Sequence, residues 1–155
     1  MRVISFPFKV LMPPFHLAFR VDDIESTRAF YAGLLACKTG RETSNWIDFD
    51  FFGHQISAHI GPRPDTTLQT LVAGVEVPLA HFGAVLAWEQ WQTLAAALTD
   101  GKADFVIAPQ VRFAGEPGEQ ATFFVRDPSG NALEFKAFRD PASMFEAAPA
   151  VAGVQ

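Results

Sequence analysis

The chain has one cysteine and one tyrosine in 155 residues, no long apolar run and no surplus of basic charge. The lone Cys37 excludes an internal disulfide and fits a reducing compartment. Twelve Lys and Arg stand against seventeen Asp and Glu, a formal net charge of −5 and a pI of about 5.3. That balance, with no basic stripe, offers nucleic acid no electrostatic footprint. The stretch MRVISFPFKVLMPPF is broken by Pro7, Lys9, Pro13 and Pro14 and has no small-residue cleavage site behind it. Residues 1–13 therefore read as a leading arm, not a targeting signal. No apolar run approaches the length of a membrane span. The expectation is a cytoplasmic protein with neither membrane nor nucleic-acid partners.

What is present is apolar and aromatic. Hydrophobic residues make up 49% of the chain, and sixteen Phe imply a dry, aromatic interior. PFHLAFRV (14–21) alternates as a strand. DDIESTRAFYAGLL follows as a helix with Asp22 or Asp23 at its N-cap. CKTGRET is a weak strand, and NWIDFDFF and HQISAHI form a hairpin through Gly53. Residues 61–79, rich in Pro and turn formers, read as a linker or lid. The order then recurs. AHFGAVLA (80–87) is a strand, WEQWQTLAAALTDG a helix stopped by Gly101, and DFVIAPQVRF a strand or two. QATFFVRD and NALEFKAF close a hairpin across DPSG. Strand–helix–strand–strand–strand thus occurs twice, over 14–60 and 80–138, and repetition is the strongest organisational signal in the chain. The tail, 139–155, is Ala-rich with one helical turn.

Alternation assigns faces. Phe15, Leu17, Phe19 and Val21 take the helix side, leaving His16, Ala18 and Arg20 opposite. In NALEFKAF, Glu134 and Lys136 fall opposite the helix, and in HQISAHI so do Gln55, Ser57 and His59. A carboxylate on such a strand is costly unless something meets it. If the second copy follows the first, His81 takes the place of His16. Arg20, Arg112, Arg126 and Lys136 are candidate contacts for an anionic substrate.

The doubled βαβββ plan, a histidine opening each half and the closing DPSGNALEF resemble the vicinal oxygen chelate superfamily, which includes glyoxalase I, fosfomycin-resistance proteins and type I extradiol dioxygenases. The likeness extends over roughly 14–138 and is nearest to small extradiol-type proteins, in runs such as WIDFDFFGHQ, PGEQATFF and DPSGNALEFKAF. It implies an α+β fold whose two βαβββ modules form a half-closed, cup-shaped mixed sheet around a metal. Matched residue by residue, it implies His16, His81 and Glu134 as metal ligands. Two imidazoles and one carboxylate with open positions suit non-haem Fe(II), and Mn(II), Zn(II), Ni(II) or Co(II) take the same donors. The position equivalent to Glu134 in the first half is Ser57, a poor ligand, which leaves a three-ligand site. His59 is the expected acid–base catalyst, with His54 the lesser candidate, and the dioxygenases' tyrosine position is Phe124. The resulting expectation is an Fe(II) extradiol-like dioxygenase acting on a small aromatic vicinal diol seated against a phenylalanine-rich wall, working as a homodimer. The alternatives are a glyoxalase-like lyase or isomerase, which needs a carboxylate base on the first module, and a non-catalytic aromatic-binding resistance protein.

Overall fold

The Asp23 carboxylate accepts the Ser26 N–H at 2.8 Å and so caps the helix after the first strand. The computed structural model describes residues 13–65, 67–72 and 74–145. The chain divides into two compact units at Pro62/Arg63. The first holds β1 (His16–Val21), α1 (Ile24–Arg28), β2 (Lys38–Glu42), β3 (Trp46–Phe51) and β4 (His54–Ile60). α1 widens into a π-helical turn over Ala29–Leu34. The sheet order is β1-β4-β3-β2, with β1 parallel to β4 and the other pairs antiparallel. Alternation puts Ile47, Phe49, Phe51, Ile56 and Ala58 on one buried face. Tyr31 packs there, its ring 5.1 Å from Phe49 and 5.5 Å from Phe19.

The second unit holds a hairpin, β5 (Leu68–Val72) and β6 (Val75–Leu79), then β7 (Phe82–Val85), α2 (Trp88–Asp100), β8 (Asp104–Arg112), β9 (Gln120–Arg126) and β10 (Ala132–Phe138). The four-stranded sheet runs β7-β10-β9-β8 with β7 parallel to β10, the order and senses of the first unit. The fold is α+β with open mixed sheets. Trp91 on α2 donates its Nε1–H to the Phe135 carbonyl at 3.0 Å, and its ring lies 5.6 Å from Phe123. Phe123 and Phe135 are fully buried with it. Before β10, Asp127 Oδ1 accepts the N–H groups of Ser129 at 2.9 Å and Asn131 at 2.8 Å. Gly130 supplies the positive φ that this turn needs.

Two segments differ from the sequence expectation. Residues 61–79 contain the β5–β6 hairpin, not only a linker, and Val77 packs with Ile107 and Phe124 of the second sheet. β7 begins at Phe82, so His81 stands just before the strand instead of inside it. The tail makes a short 3₁₀ turn at Pro141–Phe145. The leading arm up to residue 12, and the tail beyond residue 145, lie outside the described residues. Among the described residues no helix is long and apolar enough to cross a membrane.

Cys37 is buried between α1 and β2. Burial, with Asp50 adding to it, pushes its thiol up to about 12. The thiolate is the reactive form. A disulfide reagent at neutral pH is therefore expected to leave the native protein unmodified and to titrate one thiol per chain in denaturant. Rapid reaction of the folded chain would contradict this placement.

Candidate metal centre

Glu134 lies on β10 with its side chain only 14% exposed. Its Oε1 accepts the Thr122 hydroxyl at 3.0 Å and meets Lys136 Nζ at 3.2 Å. Thr122 reaches it diagonally from β9, where Phe124 is the residue directly opposite. Its Oε2 faces His81 Nε2 at 3.6 Å, too far for a hydrogen bond. His81 Nδ1 lies 3.1 Å from the Pro78 carbonyl oxygen. A carbonyl only accepts, so Nδ1 carries the proton, and in the neutral ring Nε2 presents a lone pair. With the ring neutral, Nε2 and Oε2 are two acceptors that face one another. Phe124 is fully buried and holds the ring edge-on, centroids 5.0 Å apart.

Gly83 permits this approach. It pairs with Glu134 across β7 and β10, and a Cβ added there would come within 1.6 Å of the Glu134 carbonyl oxygen. His81, Gly83, Val85, Glu134 and Lys136 line an open groove of about 250 Å³. The expected phenylalanine-rich wall is not built here. Phe123 and Phe135 fall on the α2 side of the sheet, and of the β9–β10 phenylalanines near Glu134 only Phe124 shares its face.

In the first unit His16 opens β1 and pairs with Gln55 on β4. Its Nδ1 lies 3.0 Å from Gln55 Oε1, again an acceptor, so Nε2 is again the open nitrogen. Gln55 Nε2–H donates to Asp48 Oδ2 at 3.2 Å, and Ser57 donates its hydroxyl to Asp48 Oδ1 at 2.5 Å. Arg41 reaches the same carboxylate at 3.5 Å. His59 is exposed at the end of β4 and stacks on Trp46, ring centroids 6.2 Å apart. His54 Nδ1 accepts the Phe15 N–H at 2.9 Å, a strand-pinning role that separates it from His59. Arg20 donates to the Gly61 carbonyl at 2.8 Å and pairs with Asp22.

The registers make the two modules comparable. Glu134 pairs with the residue two beyond His81, and Ser57 pairs with Ala18, two beyond His16. Ser57 therefore occupies the Glu134 position, as its spacing implied, and its hydroxyl is spent on Asp48. Among the described residues no three or more His, Cys, Asp or Glu are gathered as a metal cage. The second unit brings His81 and Glu134 together, and His16 stands in the first beside Gln55. Sequence reading placed Gln55 on the face opposite the helix without a role and missed Asp48, Thr122 and the Pro78 carbonyl. The signal for Asp48 is its place opposite Ser57, one strand away.

The family model for the Glyoxalase/Bleomycin resistance protein/Dioxygenase superfamily matches residues 14–135. The chain belongs to this superfamily. A glyoxalase/bleomycin resistance protein/dioxygenase from Alicyclobacillus acidocaldarius is 30% identical over 89% of this chain and 100% of that one, with a TM-score of 0.73. The fosfomycin resistance protein FosX from Listeria monocytogenes shares the fold at 16% identity, over 83% and 94% of the two chains, TM-score 0.60. Lactoylglutathione lyase from Agrobacterium tumefaciens does so at 12%, over 85% and 96%, TM-score 0.55. No curated protein matches the sequence. The superfamily generally uses divalent metals, and this chain's donors fit one: a cation between Nε2 and Oε2 would satisfy both lone pairs at once. Thr122 and Lys136 hold Oε1, so Oε2 is the carboxylate oxygen turned toward His81.

Proposed function

We propose that this superfamily member is a metal-dependent enzyme in which His16, His81 and Glu134 hold the ion, and that a dioxygenase acting on a small aromatic vicinal diol is the best-supported reading. The observation that carries it is the commitment of Ser57 to Asp48. With Ser57 committed to an internal hydrogen bond, His16, His81 and Glu134 are the residues that would hold the ion, a donor set that suits Fe(II). When bound, iron supplies Lewis acidity and a one-electron couple. The chain's own groups do the rest. The Pro78 carbonyl and the Gln55 side-chain oxygen face Nδ1 of the two imidazoles and so favour Nδ1–H. Phe124, with Val77 and Ile107 packed against it, forms an apolar patch on one side of His81. His59, exposed and stacked on Trp46, is the base that takes a diol proton and returns it to solvent.

Asp48 favours a second reading. A lyase or isomerase needs a carboxylate on the first module, and Asp48 is one, buried a single hydrogen bond behind Ser57. Oxygen uptake by iron-loaded protein with a panel of catechols separates the two. The dioxygenase consumes one O₂ per diol. Turnover of a thiol–oxoaldehyde adduct without O₂ uptake would establish the lyase instead.

His59→Ala is expected to keep metal content near wild type while lowering turnover by about 10²-fold or more, the usual scale for losing a general base. Metal per chain, measured after identical anaerobic loading, checks this. Loss of the metal together with activity would make His59 a ligand and favour the lyase reading.

A further inference from the structure

Asp48 is a carboxylate whose side chain is only 8% exposed, on the face of the first sheet opposite its buried apolar residues. Its cationic partner among the described residues, Arg41, is 81% exposed and 3.5 Å away, a weak compensation for a buried charge. A buried carboxylate is costly unless its oxygens are hydrogen-bonded, and Asp48 is held by Ser57 and Gln55. One of those bonds goes to Gln55, whose other end faces His16.

We propose that Asp48, acting through the Gln55 amide, is a positioning residue that selects the tautomer of His16 and turns its Nε2 lone pair outward as a ligand atom. The proposal rests on the reading of His16 as a metal ligand and extends it to residues outside the ligand set. A glutamine alone leaves the choice open. Its amide can present either the carbonyl oxygen, which requires Nδ1–H, or the NH₂ group, which would donate to Nδ1 and leave the proton on Nε2. An ionised carboxylate only accepts, so Asp48 Oδ2 claims the NH₂ end at 3.2 Å and the oxygen is left for His16 at 3.0 Å. Ser57, bonded to the other carboxylate oxygen at 2.5 Å, keeps Asp48 from turning away. A ligating histidine whose second nitrogen is tied to such an acceptor is both oriented and more basic.

The second module reaches the same tautomer by other means. His81 uses the Pro78 main-chain carbonyl, which cannot be turned over or removed by substitution of a side chain. The residue that His81 would face across the strands is Ala132, one before the Leu133–Phe82 pair, and it offers no hydrogen bond. The tautomer of His16 is therefore sensitive to mutation, and that of His81 is not.

The test is ¹⁵N-histidine NMR on the metal-free full chain at about pH 8.5, two units above the ordinary histidine value. Wild type is expected to show His16 protonated at Nδ1. Gln55→Met, near in shape and without polar ends, is expected to shift it toward the Nε2–H form. Asp48→Asn, isosteric and free to offer either end, is expected to give a mixture. His81 should be unmoved in both, which a general loosening of structure would not allow. Co(II) added alone should bind Gln55→Met about tenfold more weakly than wild type. If His16 keeps its wild-type signature in both variants, the proposal is overturned. Failure of the underlying reading shows separately: His16→Ala with unchanged Co(II) affinity would remove His16 from the ligand set even where its tautomer follows Asp48 and Gln55.

Discussion

Replacing Gly83 with alanine is expected to lower the melting temperature by about 10 °C and to separate His81 from Glu134. The added Cβ would sit 1.6 Å from the Glu134 carbonyl oxygen, 2.6 Å from its carbonyl carbon and 2.9 Å from its nitrogen. All three are backbone atoms of a central strand, so no rotamer change relieves the overlap. β7 must move off β10, or the parallel pairing from Phe82 to Val85 must open. Overpacking of this kind costs on the order of 3 kcal/mol, and a chain of this size loses about 3 °C per kcal/mol. His81 precedes β7 by one residue, so displacing the strand moves its ring directly. Gly33→Ala is the control. Nothing lies within 4 Å of its Cβ position and its φ is not positive, so the change should stay within about 0.5 kcal/mol of wild type. Thermal melts of the two variants decide the matter, and equal melting temperatures would show that the β7–β10 contact is not as close as described.

The same strand shows what was legible in the sequence. The apolar alternation of β3, β4, β9 and β10 is strong and local, so the faces and the repeat could be read directly, and Asp23 and Gly101 mark helix ends by residue type alone. Ser57 could be matched to Glu134 by counting from a glycine, and the registers agree. The β5–β6 hairpin was not legible. Only Val77 and Pro78 of its strands are buried, and Leu68 and Leu71 stay exposed, so its pattern is that of a loop. Asp48 was hidden for a different reason. In WIDFDFF it alternates outward like any solvated residue, and its burial comes from Ser57 and Gln55, which arrive from the next strand. The Pro78 carbonyl leaves no trace in residue identity, because a main-chain acceptor belongs to every residue.

Lys136→Met is expected to raise divalent-metal affinity by about tenfold, whereas Glu134→Gln and His81→Ala abolish binding in the same assay. The contrast follows from what surrounds one carboxylate. Lys136 sits two residues along β10 from Glu134, on the same face, with Nζ 3.2 Å from Oε1. Its ammonium already neutralises part of the charge that a cation at Oε2 would draw on, and it repels that cation. Unit charges about 4 Å apart at a partly buried site interact by roughly 4 kcal/mol. Solvent around a lysine 38% exposed reduces this to about the 1.4 kcal/mol of a tenfold change. Methionine keeps the packing of the stem and removes the charge. Thr122 still holds Oε1, so the carboxylate keeps its orientation. Glu134→Gln takes away the anion itself, and His81→Ala the nitrogen that faces it. Each loss should exceed the roughly 10–100-fold that removal of an outer hydrogen-bonding partner costs. Titration of the metal-free proteins with Co(II), followed by its visible absorption, measures all three variants on one scale. Tighter binding in Lys136→Met requires that the metal use the Glu134 carboxylate. Unchanged binding in Glu134→Gln would move the centre away from β10 altogether.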